Sequence, residues 1–161
     1  MASKNLETYL NDHLAGAAAA VALLDKLEQH RLRTPSREFV AGIRREIEAD
    51  REELRRIMER VGAAESAFRQ SVGWVASKLT ATKLRIDDLG GDALYALEAL
   101  EVLSLGIEGK HGLWAALRAA AKQHVELAVA DYDRLTKRAE EQRSAVENVR
   151  VDAATQAFFA S

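Results

Sequence analysis

Apolar residues recur along this chain at alternating four- and three-residue steps, the spacing that lays a single stripe down an α-helix. From about Asn5 to about His30 the stripe reads Leu6, Leu10, His13, Ala17, Ala20, Leu24 and Leu27. A second reads Val40, Ile43, Ile47, Asp50, Leu54, Ile57 and Val61. Between them Thr34-Pro35 predicts a helix start, with threonine capping free amides and proline at the first helical position, where no amide donor is needed. Gly62 predicts the stop. A third, shorter helix is expected over Glu65–Ile86, with Phe68, Val72, Val75, Leu79, Thr82 and Ile86 on one face.

The run from Asp87 to Gly91 is the clearest turn in the chain, and Asp92 is the expected cap of a fourth helix. That helix carries Leu97, Leu100, Ile107, Trp114 and Leu117. Gly106, Gly109 and Gly112 interrupt it, each at a cost of up to ~1 kcal/mol relative to alanine. They predict a kink or the close approach of a neighbouring backbone. The last helix is expected from near Val125, with Tyr132, Leu135, Ala139, Gln142, Val146, Val149 and Ala153 on its stripe. No alternating strand pattern competes, and no repeat or linker divides residues 1–161. The expectation is one all-α domain built of long amphipathic helices.

Composition narrows the chemistry. There is no cysteine, which excludes disulfides, thiolate metal sites and thiol nucleophiles and fits a reducing cytoplasm. The net charge is −2, from 23 basic and 25 acidic side chains, so no concentrated basic face for nucleic acid is expected. The arginines of the second helix (Arg44, Arg45, Arg51, Arg55, Arg56, Arg60) alternate with glutamates; Glu52 and Arg56 have the spacing of an exposed helical ion pair. The longest uncharged apolar stretch, Leu14–Leu24, is far short of the ~20 residues that span a bilayer. Lys4, Glu7 and Asp12 argue against a signal peptide.

Helices one and two form a hairpin around Arg31–Pro35. A helical Glu65–Ile86 segment, rising ~1.5 Å per residue, carries the chain back along the bundle, so the fourth helix runs parallel to the second and the last returns. Two antiparallel hairpins joined by one long crossover resemble the ferritin-like four-helix bundles. The resemblance covers nearly the whole chain in architecture. Di-iron members take a carboxylate from each of two helices and Glu-x-x-His from each of the other two. Here there is one such element, Glu108-Gly109-Lys110-His111, and the second helix has no histidine. The resemblance therefore implies a fold, that of small bacterial members without an assigned activity, more than a reaction.

The informative positions are those where a polar group breaks an apolar stripe. His13 and Asp50 lie ~20 and ~17 residues from the first hairpin, at nearly one height. With the crossover, Glu108 and His111 fall at a comparable level, and Tyr132 is expected to face it. His13, Asp50, Glu108 and His111 form the candidate metal set, since imidazole and carboxylate from facing helices suit iron, manganese or zinc. The structural alternative is a buried histidine bonded to an aspartate, fixing helix register. Glu101 and Gln142 form a second expected polar layer toward the opposite end. Gly106–His111 lacks the spacing of a phosphate loop, and no serine has a histidine at local spacing.

The run Ala15–Ala20 would let a helix approach closely, either inside the bundle or at a homodimer seam, and Trp74 on the third helix would add to self-association. The function expected is a non-enzymatic binding, scaffold or stress-associated module. The alternative is a degenerate metal-binding bundle with a redox or storage role.

Overall fold

The computed structural model describes residues 2–30, 33–66 and 91–159. They form four α-helices: α1 (Lys4–Gln29), α2 (Arg37–Val61), α3 (Gly91–Ala121) and α4 (Tyr132–Phe159), with a 3-10 turn at Val125–Leu127. No strand occurs among the described residues. The third helix expected over Glu65–Ile86 lies outside them, apart from Glu65 and Ser66, which are not helical.

Each boundary has a local cause. The Ser3 hydroxyl accepts from the Leu6 amide at 3.2 Å and starts α1. At α2 the cap is not Thr34 but Ser36, whose hydroxyl accepts from the Phe39 amide at 3.2 Å. Pro35 precedes the helix, after a cis Thr34-Pro35 bond, and the Thr34 hydroxyl instead accepts from the Gln156 side chain at 2.7 Å. Gly62 ends α2 as expected, with φ 67° and the Ala63 amide returning to the Met58 carbonyl at 2.9 Å.

Two further boundaries differ from expectation. Asp92 is not a cap: α3 starts at Gly91 and Asp92 sits in its first turn, where a carboxylate favours the positive helix end. The last helix starts at Tyr132 rather than near Val125, because Asp131 takes the capping role and accepts from the Arg134 amide at 3.0 Å. The connection between α3 and α4 is therefore longer than the sequence pattern indicates. The glycines do not break α3, which is continuous, and among the described residues a Cβ added at Gly106, Gly109 or Gly112 would meet nothing within 4 Å.

The most extensive packing is α3 on α4, followed by α1 on α2 and α1 on α3. Leu10, Leu24, Ile57, Leu100, Trp114 and Leu135 anchor a single buried core. Polar contacts tie the helix ends into two groups. At one, Asn11 donates to the Ala64 carbonyl (3.0 Å) and accepts from the Ser66 amide (2.9 Å), while Arg60 donates to the Val129 carbonyl (2.6 Å). At the other, His30 Nδ1 lies 3.2 Å from Asp92 and stacks on Tyr95, and Gln156 reaches Thr34. No helix is long and apolar enough to cross a membrane among the described residues.

Candidate functional site

The most unusual place in the interior is Asp50, a carboxylate with only 2% of its surface exposed, on the apolar stripe of α2. A buried charge is strongly destabilising unless it is paired and hydrogen-bonded. Three side chains meet that need. Lys110 of α3 donates to Oδ2, Arg138 of α4 donates to Oδ1, and Gln142 of α4 donates its amide to Oδ2 at 3.0 Å. The Gln142 carbonyl in turn accepts from Lys110, so the ammonium bridges carboxylate and amide. Burial lowers the basicity of Lys110. The charge and hydrogen bond of Asp50 oppose that shift, Arg138 adds to it, and Glu46 opposes it. One carboxylate thus faces two cations from two other helices, with a neutral amide bonded to the carboxylate and to the Lys110 ammonium.

The sequence pattern contains this cluster in outline. Leu100, Leu103, Ile107, Trp114 and Leu117 continue the stepped stripe of α3, and Lys110 fills the vacant step between Ile107 and Trp114. It is a stripe-breaking polar residue like Asp50 and Gln142, overlooked because Glu108 and His111 flank it with more familiar ligand chemistry.

The four residues expected to hold a metal go separate ways. Asp50 is closed as described. Glu108 is exposed and accepts from Arg143 at 2.8 Å, and His111 lies 3.2 Å from Glu140 at the α3–α4 surface. His13 is half-buried on α1, with its ring edge-on to Tyr9 at 4.7 Å. Burial pulls its pKa down, against a smaller opposing effect of Asp12. Among the described residues no group of three or more His, Asp or Glu side chains is placed to hold a metal ion. The surroundings of Asp50 do not fit one either, since a metal cation there would face an ammonium and a guanidinium.

Two associated expectations also change. Glu101 and Gln142 do not form a layer: Gln142 joins Asp50, and Glu101 pairs with Arg150 at 3.2 Å on the surface. Tyr132 does not face the Asp50 level. It is buried at the first turn of α4 and donates to the Leu127 carbonyl at 2.7 Å, and burial raises its pKa. One register explains both: Arg118–Asp133, His111–Glu140, Glu108–Arg143 and Glu101–Arg150 step evenly along the α3–α4 pair. That register follows from the late start of α4.

On α2 the arginines Arg44, Arg55 and Arg56 form ion pairs, as the alternation with glutamate predicts. Arg44 reaches Asp25 at 2.9 Å, Arg56 pairs with Glu53 at 3.0 Å, and Glu52 pairs with Arg55 rather than with Arg56. A shallow depression lies where Arg118, Lys122, Asp131 and Asp133 surround the α3–α4 turn; the Arg118–Asp133 bridge of 2.6 Å crosses it. Ala15 is buried and Gly16–Ala20 are half-buried, so the small-residue run of α1 is in part internal packing. Trp74 lies outside the described residues. No family model matches the chain, and comparisons with curated proteins and with solved structures also give no match.

Proposed function

We propose that this chain is a ferritin-like bundle of two antiparallel hairpins, joined by a crossover, that works as a binding, scaffold or stress-associated module and not as an enzyme. The observation that carries the reading is the closed state of Asp50. At mid-height, where a di-metal bundle would direct carboxylates and histidines inward, the interior holds a carboxylate bonded by Lys110, Arg138 and Gln142. Both oxygens of that carboxylate are engaged by side chains of facing helices. Its physical use is register: an apolar stripe can slide by a heptad, whereas a misaligned Asp50 would be buried without its cations.

The grouping of helix ends supports the hairpin arrangement. Asn11 near the start of α1 is tied to Ala64 just past α2, and Gln156 near the end of α4 is tied to Thr34 just before α2. We further propose a cytoplasmic location, on the absence of cysteine, and a second copy of the chain as partner. The small net charge and the ion pairs of Arg44, Arg55 and Arg56 on α2 speak against nucleic acid.

The test is elemental analysis of protein purified without chelator or histidine tag, before and after supplementation with iron, manganese or zinc, beside Asp50→Asn and His13→Ala. The reading expects no stoichiometric metal in any sample and a loss of stability in Asp50→Asn alone. Near-stoichiometric metal that disappears in either variant would replace it with the metal-binding alternative.

A further inference from the structure

Three arginines of α2 stand in one row. Arg44, Arg51 and Arg55 are separated by seven and four residues, which keeps them on the side of the helix that Arg44 turns toward α1. The outer two are neutralised. Arg44 meets Asp25 at 2.9 Å and Glu28 at 3.5 Å on α1, and Arg55 pairs with Glu52 and, at 3.2 Å, with Glu65. Arg51, half-buried between them, makes no ion pair or side-chain hydrogen bond among the described residues, and its Nε–H is buried without an acceptor. A buried donor left unmatched is destabilising, the more so in a charged group.

The helix register explains why the chain supplies no counter-charge. In the antiparallel hairpin proposed above, one heptad on from Arg44 the places of Asp25 and Glu28 are taken by Ala18 and Val21. α1 has no acidic residue from His13 to Leu24. On α2 the carboxylate one turn back, Glu48, is 3.4 Å from Arg44. The sequence from Ala67 to Ile86, outside the described residues, contains no acid either. The α1 surface there is low: Gly16–Ala20 carry nothing longer than a methyl group, and a Cβ added at Gly16 would meet nothing within 4 Å among the described residues. We propose that Arg51 anchors an oxyanion, a carboxylate or phosphate group, on a ligand that lies over the short side chains of α1 beside Ala18. A guanidinium offers Nε–H and one Nη–H as a parallel pair to such a group, and the unmatched Nε–H is half of that fork. The site gives the proposed binding role a ligand class. Its placement beside Ala18 rests on the hairpin; the anchor does not.

Heteronuclear NMR of the full chain tests it, following the arginine Nε–H signals at constant ionic strength during titration with sodium octanoate and, separately, with inorganic phosphate. Arg51→Lys, which keeps the charge and lacks the Nε–H, identifies the signal. A saturable shift confined to Arg51 is expected. The tighter probe names the source: octanoate a carboxylate on an apolar body, phosphate a phosphoryl group. Ala18→Asp should supply the missing counter-charge. It should raise the melting temperature, move the Arg51 signal without ligand, and weaken anion binding by about tenfold. No saturable shift with either probe, or equal shifts at every arginine, would overturn the anchor. Saturable binding that Ala18→Asp leaves unchanged would overturn the place given to the ligand, and with it the α1–α2 register. Both results are independent of metal content, which tests the reading of Asp50.

Discussion

In the apolar stripe of α2 the intruding polar residue is Asp50, sealed from solvent and gripped from α3 and α4; in the stripe of α1 it is His13, half-buried and edge-on to Tyr9. Both interrupt a stepped apolar pattern, yet the bundle treats them in opposite ways. A carboxylate at this depth needs cations and donors close by. An imidazole can instead shed its charge, and the lowered pKa of His13 marks that escape. Asp50 therefore organises two other helices around itself, whereas His13 fits into the packing of its own helix. What a stripe-breaking residue does depends on whether it has a neutral form within reach.

The largest expected effect comes from removing the carboxylate. Asp50→Ala would leave Lys110 and Arg138 buried without their counterion and should cost roughly 3–5 kcal/mol in urea unfolding. Replacing the cluster together, as Asp50→Leu, Lys110→Met, Arg138→Met and Gln142→Leu, should recover most of that loss. A variant of native stability that no longer holds one register would separate the specificity role from the stability role.

Lys110 offers a finer probe. Because burial lowers its folded-state pKa below the ordinary 10.5, the unfolded chain holds that proton more tightly, and stability rises with pH from the folded value up to 10.5. Lys110→Met should abolish this rise, measured as unfolding free energy against pH under alkaline conditions. An unchanged slope would show that the ammonium is not held in a desolvated place.

Gly62→Ala should cost about 1 kcal/mol, because its φ of 67° suits glycine. This gives a scale, independent of buried charge, against which the cluster variants can be read. The smallest effect belongs to His13. Its lowered pKa means that stability is full above 6.5 and declines as pH falls from 6.5 toward the folded value. His13→Phe should flatten that decline and change stability at neutral pH by less than about 1 kcal/mol. A loss as large as that of Asp50→Ala would erase the contrast between the two sites.

The helices were legible because their stripes are long and regular: α2 runs from Val40 to Val61 without a slip and ends at Gly62 as the pattern requires. The site was half legible. Asp50 and Gln142 stood out as polar steps in apolar stripes, but their partnership depends on how far past α3 the last helix begins. Asp131, rather than any residue near Val125, sets that start through its bond to the Arg134 amide. A shift of a few residues there moves Gln142 from the Glu101 level to the Asp50 level. Lys110 was hidden for a different reason. Glu108 and His111 beside it have the spacing of metal ligands, but both point along the α3–α4 surface, while the lysine lies on the stripe itself. Asn11 gave no signal, since its bonds to Ala64 and Ser66 join backbone groups more than fifty residues away along the chain.

The central claim is that Asp50 is held by charge and hydrogen bonds from facing helices. A double-mutant cycle of Asp50→Asn and Lys110→Met in chemical unfolding tests it most directly. The account predicts strong coupling, on the order of 2 kcal/mol, with the double variant more stable than the sum of the single losses implies. Additive losses would contradict it, and would mean that the two side chains share a place in the interior without sustaining each other.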